Sequence, residues 1–423
     1  VLSYSAQNVV AGSVLLGAVG GTLGAFALLR RQSLLGDALA HAALPGVCLA
    51  FLLTQSKNPL VVLGGALVSG VLGSLTVLTI TRWSRIKQDT AIGIVLSVFF
   101  GLGIVLLTHI QKLPGGNQSG LDRFLFGQAA ALMRSDLVRM ATLGALLIAV
   151  IALLWKELKI VTFDRDFAGS LGLPVGVLEV VLTLALVVTV VVGLQTVGVV
   201  LMIATLVTPA AAARQWTDRF GHMVVLSAAI GAGSSAVGAV ASATVAVPTG
   251  PAIVLTGSSV LVVSLLFAPR RGLVRSLLAE RALRRRIRSE NLLKDLWLER
   301  ERSGDSPPEV TLPVLMGLRG ARPGEIARTV APLSRRGLVA SEGDALRLTP
   351  AGERAAERVV RKHRLWEVYL AERLRLPPDH LHRDAEMMEH ALSDQALEEL
   401  DRLLGHPATD PHGRPIPRSG TAA

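Results

Sequence analysis

The chain has 423 residues, of which 51% are hydrophobic, with a mean hydropathy of +0.50 and a formal net charge of +11. That is too apolar for a soluble protein of this length, and its one cysteine, Cys48, excludes a disulfide framework and a cysteine-rich metal site. Most Lys, Arg, Asp and Glu residues follow Pro269, where the apolar runs stop, so a domain boundary falls there.

A first apolar span runs from about Val9 to Leu29 and ends at Arg30 and Arg31. Its glycines Gly17, Gly20, Gly21 and Gly24 are spaced for close helix contact in lipid. The second span, Leu34–Thr54, opens with LLGDALAHAALPG and places Asp37 and His41 within an otherwise apolar run. Four residues apart, the two stack on one helix face. Ionisable groups at membrane depth are costly and normally face a cavity or an ion path. A carboxylate with an imidazole suits Mn, Zn or Fe. Spacing alone leaves a second reading open, with Asp37 a solvated cap at the membrane edge and His41 a hydrogen-bonded packing residue.

Further spans follow at Leu60–Ile80, Thr90–Ile110 and Asp136–Trp155. The run Gly176–Ala213 is long enough for two crossings, broken near Gly193–Gly198, and the last two spans are His222–Val245 and Thr249–Ala268. The total is about nine helices, each long enough for a hydrocarbon core of roughly 30 Å. Basic clusters fall at Arg30–Arg31, Arg82–Lys87, Lys156–Arg165, Arg214–Arg219 and from Arg270 onward. Nine crossings put all five on one side, so the positive-inside rule predicts an outside N-terminus and a cytoplasmic C-terminal part. His109 then falls at the external mouth, as a solvated residue or a secondary metal contact. No G-x-x-x-x-G-K-[ST] phosphate loop and no nucleophile triad occur, so the sequence carries no motif for hydrolysing ATP itself.

Residues 275–302 form a charged amphipathic stretch whose basic first half suits anionic headgroups or, equally, a solvated connecting helix. Ser303–Pro308 reads as a linker. Beyond it, His363 and Glu367 share a helix face, as do Glu386, Glu389 and His390.

The string LLGDALAHAALPGVCLAFLL resembles the most recognisable segment of the permeases of manganese/zinc/iron ABC importers. FDRDFAGSLGLPV at 163–175, TVGVVLMIATLVTPAAAAR at 196–214 and PTGPAIVLTGSSVLVVSLLFAPRRGLV at 248–274 extend the resemblance over about residues 8–274. It implies a bacterial inner-membrane permease importing a divalent metal, Mn2+ first and Zn2+ or Fe2+ as alternatives, with Asp37 and His41 on the path. It further implies three partners besides membrane lipid: a separate ATP-binding cassette ATPase, an extracytoplasmic metal-binding protein and a second permease copy. By the same resemblance, segment 163–175 docks into the ATPase through Ala168 and Gly172, with Asp164, Arg165 and Asp166 at its entrance. No covalently bound cofactor is expected.

LRLTPAGERAAERVVRKHRLWEVYLAERL at 346–374 and LHRDAEMMEHALSDQALEELDRLLGHPATDPHGRPIP at 381–417 resemble the diphtheria-toxin-repressor family of metal-dependent regulators. Carried over by position, His363 and Glu367 match the first metal-binding helix, and His382, Glu386, Glu389 and His390 the second. The carboxylate at 386, where iron-type members carry cysteine, leans toward Mn2+. ENLLKDLW at 290–297 resembles the family's first helix, with Asn291 and Lys294 where manganese-type members carry acidic ligands. GEIARTVAPLSRRGLVA at 324–340 reads as a helix-turn-helix whose recognition helix is largely missing, so nucleic acid is not an expected partner.

The expected fold is thus an all-α polytopic membrane protein with a small, mostly α-helical, winged-helix and metal-sensor-like cytoplasmic domain. Its parts are a permease domain at 1–271, a connecting amphipathic helix at 272–302 and a repressor-like domain at 303–423. The expected function is a metal-importing permease whose tail senses metal. A membrane-anchored, metal-responsive DNA-binding regulator is the alternative, and the missing recognition helix speaks against it.

Overall fold

The computed structural model describes residues 4–32, 34–55, 58–112, 132–194, 198–245, 247–303, 310–320, 323–374, 390 and 392–418. The chain divides into two compact units, Val1–Ser276 and Leu277–Ala423.

The first unit is helical: α1 (Tyr4–Leu29), α2 (Leu35–Thr54), α3 (Pro59–Trp83), α4 (Gln88–Gln111), α5 (Arg134–Leu153), α6 (Trp155–Phe163), α7 (Arg165–Ser170), α8 (Val175–Leu194), α9 (Val199–Trp216), α10 (Phe220–Val245) and α11 (Thr249–Phe267). Among the described residues eight of these are long and apolar enough to cross a membrane, and α9, 18 residues with Pro209 inside it, packs among them. Local chemistry sets the ends. Asn58 caps α3 by accepting from the Leu60 amide at 3.0 Å, with Pro59 in the first turn. The long apolar run breaks where expected: α8 stops at Leu194, and Gly198 at φ +84° leads into α9.

Packing inside the unit relies on small residues. A Cβ on Gly17 or Gly21 of α1 would collide with the backbone of Gly231 or Ser227 on α10, and Ser227 Oγ donates to the Gly21 carbonyl at 2.6 Å. Gly46 and Gly65 bring α2 and α3 together in the same way, beside a 2.6 Å bond from Ser69 Oγ to the Ala42 carbonyl. Meanwhile Leu102 and Val105 on α4, Leu146 on α5 and Leu255 on α11 point outward while Ser13, Thr183 and Thr189 are buried. Apolar side chains outside and small polar ones inside are what a hydrocarbon solvent requires.

The five basic clusters gather at one end. Arg30, Arg82 and Arg165 converge on Glu179. Arg214, Arg270 and Arg271 converge on Asp218. An aromatic group joins the two sets: Phe220 stacks on Trp155 at 5.3 Å and meets Phe26, one turn before Arg30, edge-on at 5.0 Å.

The second unit contains most of α12 (Leu273–Ser303), then β1 (Val310–Thr311), α13 (Leu312–Arg319), α14 (Pro323–Arg335), β2 (Val339–Glu342), β3 (Ala345–Leu348), α15 (Pro350–Glu372) and α16 (Asp394–Leu403). The antiparallel sheet has the order β1-β3-β2, pairing Val339 with Leu348 and Val310 with Leu346. Gly343, at φ +62°, makes the β2–β3 turn. Leu292, Leu293 and Leu296 of α12 share a core with Leu315, Ile326, Leu333 and Leu346. Thr349 caps α15 by accepting from the Gly352 amide at 3.1 Å.

This order corrects one expectation. The stretch 324–340, expected to hold a helix-turn-helix without most of its recognition helix, is the single helix α14 leading into β2. α13 precedes it and ends at Gly320 with φ +57°, so α14 lies directly before the hairpin, where a winged helix carries its recognition helix. LPVLMGLR, the α13 sequence, is short and almost uncharged and so does not announce a helix, and GEIARTV belongs to the second helix of the motif instead of the first.

Candidate functional site

In α2, His41 Nε2 lies 3.5 Å from Asp37 Oδ1. The pair is neither sealed nor solvated, with side chains 18% and 28% exposed respectively. The ring meets Phe100 of α4 edge-on at 4.6 Å, which fixes its plane. Its other nitrogen, Nδ1, is buried with no hydrogen-bond partner among the described residues. An orphaned imidazole nitrogen is expensive unless something visits it. Pro45 adds a third donor: it lacks the N–H that would bond the carbonyl four residues back, and that residue is His41. A carboxylate, an imidazole and a backbone carbonyl therefore lie within one turn, an N/O set suited to Mn2+, Zn2+ or Fe2+. His109 is exposed in the last turn of α4.

Segment 163–175 forms the short helix α7, capped by Asp164 accepting from the Phe167 amide at 2.9 Å. Asp166 and Gly172 are exposed, but Ala168 is fully buried inside the unit. The apolar groups on the outside include Phe167 and Leu171, each about half exposed, together with Phe163 at the segment's start. Gly172, at φ +76°, ends the turn, so a side chain there would strain the backbone before it met a partner.

In the tail, His363 Nε2 lies 3.1 Å from Glu367 Oε1, both almost fully buried. His390 is held on both ring nitrogens: Nδ1 by Glu290 at 2.7 Å and Nε2 by the Asn291 side chain at 3.0 Å. Burial pushes the Glu290 carboxyl up, but hydrogen bonds from His390 and Arg286 outweigh it and hold it below its ordinary value. The same hydrogen bond raises Arg286. His382, Glu386 and Glu389 lie outside the described residues. Among the described residues no three His, Cys, Asp or Glu side chains converge as a metal cluster. The His363–Glu367 pair fits a divalent metal, whereas His390 binds one only by giving up Glu290 or Asn291. Lys294, one turn from Asn291, is 2% exposed, so its amine is buried in this part of the unit.

A cleft of about 1100 Å³ between α12, α14 and α15 is lined by Arg285, Arg288, Arg328, Arg335, Arg336 and Arg358, against the two carboxylates Glu290 and Asp394.

Residues 3–268 match the ABC 3 transport family. The chain belongs to that family. It is a permease, and ATP hydrolysis belongs to a separate subunit of the transporter. Residues 349–418 match the family described as iron dependent repressor, metal binding and dimerisation domain. Manganese transport system membrane protein MntC of Bacillus subtilis is 40% identical over 372 residues, covering 88% of this chain and 85% of that one. That alignment necessarily extends past the permease region into the tail. Zinc transport system membrane protein TroC of Treponema pallidum is 47% identical over 228 residues, covering 54% of this chain and 76% of its own. The solved structure of PsaBC from Streptococcus pneumoniae in complex with Fab superposes with a TM-score of 0.57 at 35% identity, covering 63% of this permease chain and 93% of that one.

Sequence reasoning missed Glu179, Glu290, Phe167 and Leu171. Arg30 lies 149 residues from Glu179 and His390 lies 100 residues from Glu290, so neither of these contacts leaves a local spacing signal.

Proposed function

We propose that this permease imports Mn2+, with Zn2+ and Fe2+ as competing cargo, through a station built from Asp37, His41 and the His41 carbonyl. The observation that carries the reading is the partnerless His41 Nδ1 beside a carboxylate in a membrane-depth helix. The names of the relatives favour Mn2+ over Zn2+, three of the first four being manganese systems. The basic end of the first unit faces the cytoplasm and the N-terminus faces outward, which the gathering of all five clusters supports. Two permease copies form the pathway, a metal-binding protein delivers cargo from outside, and Phe167 and Leu171 seat an ATP-binding cassette ATPase. The tail binds cytoplasmic metal through His363 and Glu367, together with His382, Glu386, Glu389 and His390, and lowers transport when filled.

The test is uptake of labelled Mn2+ by proteoliposomes holding permease, ATPase and binding protein, with Zn2+ and Fe2+ as competitors. Mn2+ should be taken up, and Asp37→Asn should abolish it without loss of assembly. Unaltered uptake by Asp37→Asn would refute the reading.

A second reading of the tail is favoured by one observation, the complete α14 beside the arginine-lined cleft. Arginines on and beside a winged-helix recognition element contact nucleic-acid phosphates. Titrating the detergent-solubilised full chain with duplex DNA tests it: affinity falling steeply with salt supports it, and no binding at low salt removes it.

A further inference from the structure

We propose that Glu179 is a positioning residue, linking the ATPase-docking segment to the helix that carries Asp37 and His41. The proposal rests on reading segment 163–175 as the docking element.

Glu179 is the fifth residue of α8, a span with no other ionisable group, and it is 1% exposed. Each of its oxygens is used. Oε1 accepts from Arg30 at 2.7 Å, and Oε2 accepts from Arg165 at 2.9 Å with Arg82 at 3.6 Å. The three arginines come from three different places in the chain. Arg82 lies in the last turn of α3, and Arg165 opens α7, two residues before the exposed Phe167. Arg30 directly follows α1. From there the chain turns sharply: Arg31 takes a left-handed φ of +57°, the Gln32 amide donates to the Ala27 carbonyl at 2.8 Å, and α2 begins at Leu35. Asp37 is therefore seven residues from Arg30 along a short, bonded connection.

One cation would be enough to neutralise one carboxylate. Three guanidiniums sharing it place two cations in competition, and that makes the contact responsive to movement. Burial pushes the Arg30 guanidinium down, Glu179 pulls it back up, and Arg165 pushes it down again. Whatever displaces Arg165 alters how firmly Glu179 holds Arg30, and with it the start of α2. The neighbouring aromatic group has no such property. Trp155, Phe163, Phe220 and Phe26 interlock by shape and hold α1 against α6 whichever way the charges lie. Coupling needs an element that both sites can bias, and the shared carboxylate, bonded to Arg30 and Arg165 alike, is placed to be one.

The experiment uses the assembled transporter in proteoliposomes and reads two quantities together, ATP hydrolysed and Mn2+ taken up. Glu179→Gln and Arg30→Gln should still hydrolyse ATP while uptake per ATP falls roughly five- to tenfold, the range of a modest coupling free energy. Arg30→Lys, which keeps the charge, should restore much of the ratio. If Glu179→Gln fails to accumulate in the membrane, Arg30→Gln decides, because there the carboxylate keeps Arg165 and Arg82. An unchanged ratio in Arg30→Gln overturns the proposal. So does a parallel loss of hydrolysis and uptake at constant ratio, which marks a purely structural pin. Failure of the wild-type permease to bind or stimulate the ATPase would instead sink the docking reading itself.

Discussion

Two carboxylate–histidine pairs at the same four-residue spacing behave differently in this molecule. In α2, Asp37 and His41 stand 3.5 Å apart, partly exposed, with one ring nitrogen uncommitted and a proline freeing the His41 carbonyl. In α15, Glu367 and His363 stand 3.1 Å apart with side chains 3% and 6% exposed. The spacing puts both pairs on one helix face, but their surroundings decide what each can do. A loose, accessible pair with an unsatisfied donor suits an ion in passage. A closed, paired one suits an ion that stays, or none at all.

The largest expected effect follows from breaking the loose pair. His41→Ala removes the only nitrogen ligand of the station, and losing a principal ligand should lower uptake by roughly 100-fold or to background. ATP hydrolysis and assembly should remain, as measured in the same proteoliposomes. The closed pair should respond the other way. His363→Ala strips Glu367 of its ring partner and should cost about 1–3 kcal/mol of stability, read as a lower melting temperature of the tail's transition. Maximal uptake should be untouched, and inhibition by internal metal should disappear, as in a chain lacking residues 303–423.

Smaller effects sharpen the comparison. Phe167→Ala with Leu171→Ala should lower ATPase co-purification several-fold, because apolar anchors dominate such interfaces. A bulky substitution at Gly172 would be a poorer probe, since its φ of +76° makes any side chain a source of strain. Smallest is Lys294→Gln. Replacing a buried lysine amine one turn from Asn291 by a neutral amide should tighten Mn2+ binding by the full chain by roughly tenfold or less, given the screening of charges inside proteins.

Much of the first unit was legible because lipid imposes a simple rule, a run of apolar residues for each crossing. The expected Leu34–Thr54 and Thr249–Ala268 differ from α2 and α11 by one residue each. The glycines of α1 were legible for the same reason, since only small residues permit backbone contact in a solvent as apolar as leucine. Glu179 was not legible. A lone acid near the start of an apolar span looks like a flanking charge until the fold brings Arg30, Arg82 and Arg165 to it. Nor was the complete winged helix, because α13 carries one charge and shows no polar face by which to recognise it. Ala168 was given a surface role from its motif, whereas the fold buries it and turns Phe167 outward.

The contrast between a station and a resident site is tested most directly by the rate at which metal leaves. The full chain in detergent, loaded with Mn2+ and mixed rapidly with excess chelator, should release metal in two phases. The fast phase should vanish in His41→Ala and the slow phase in His363→Ala. A single phase abolished by His363→Ala and untouched by His41→Ala would contradict the account.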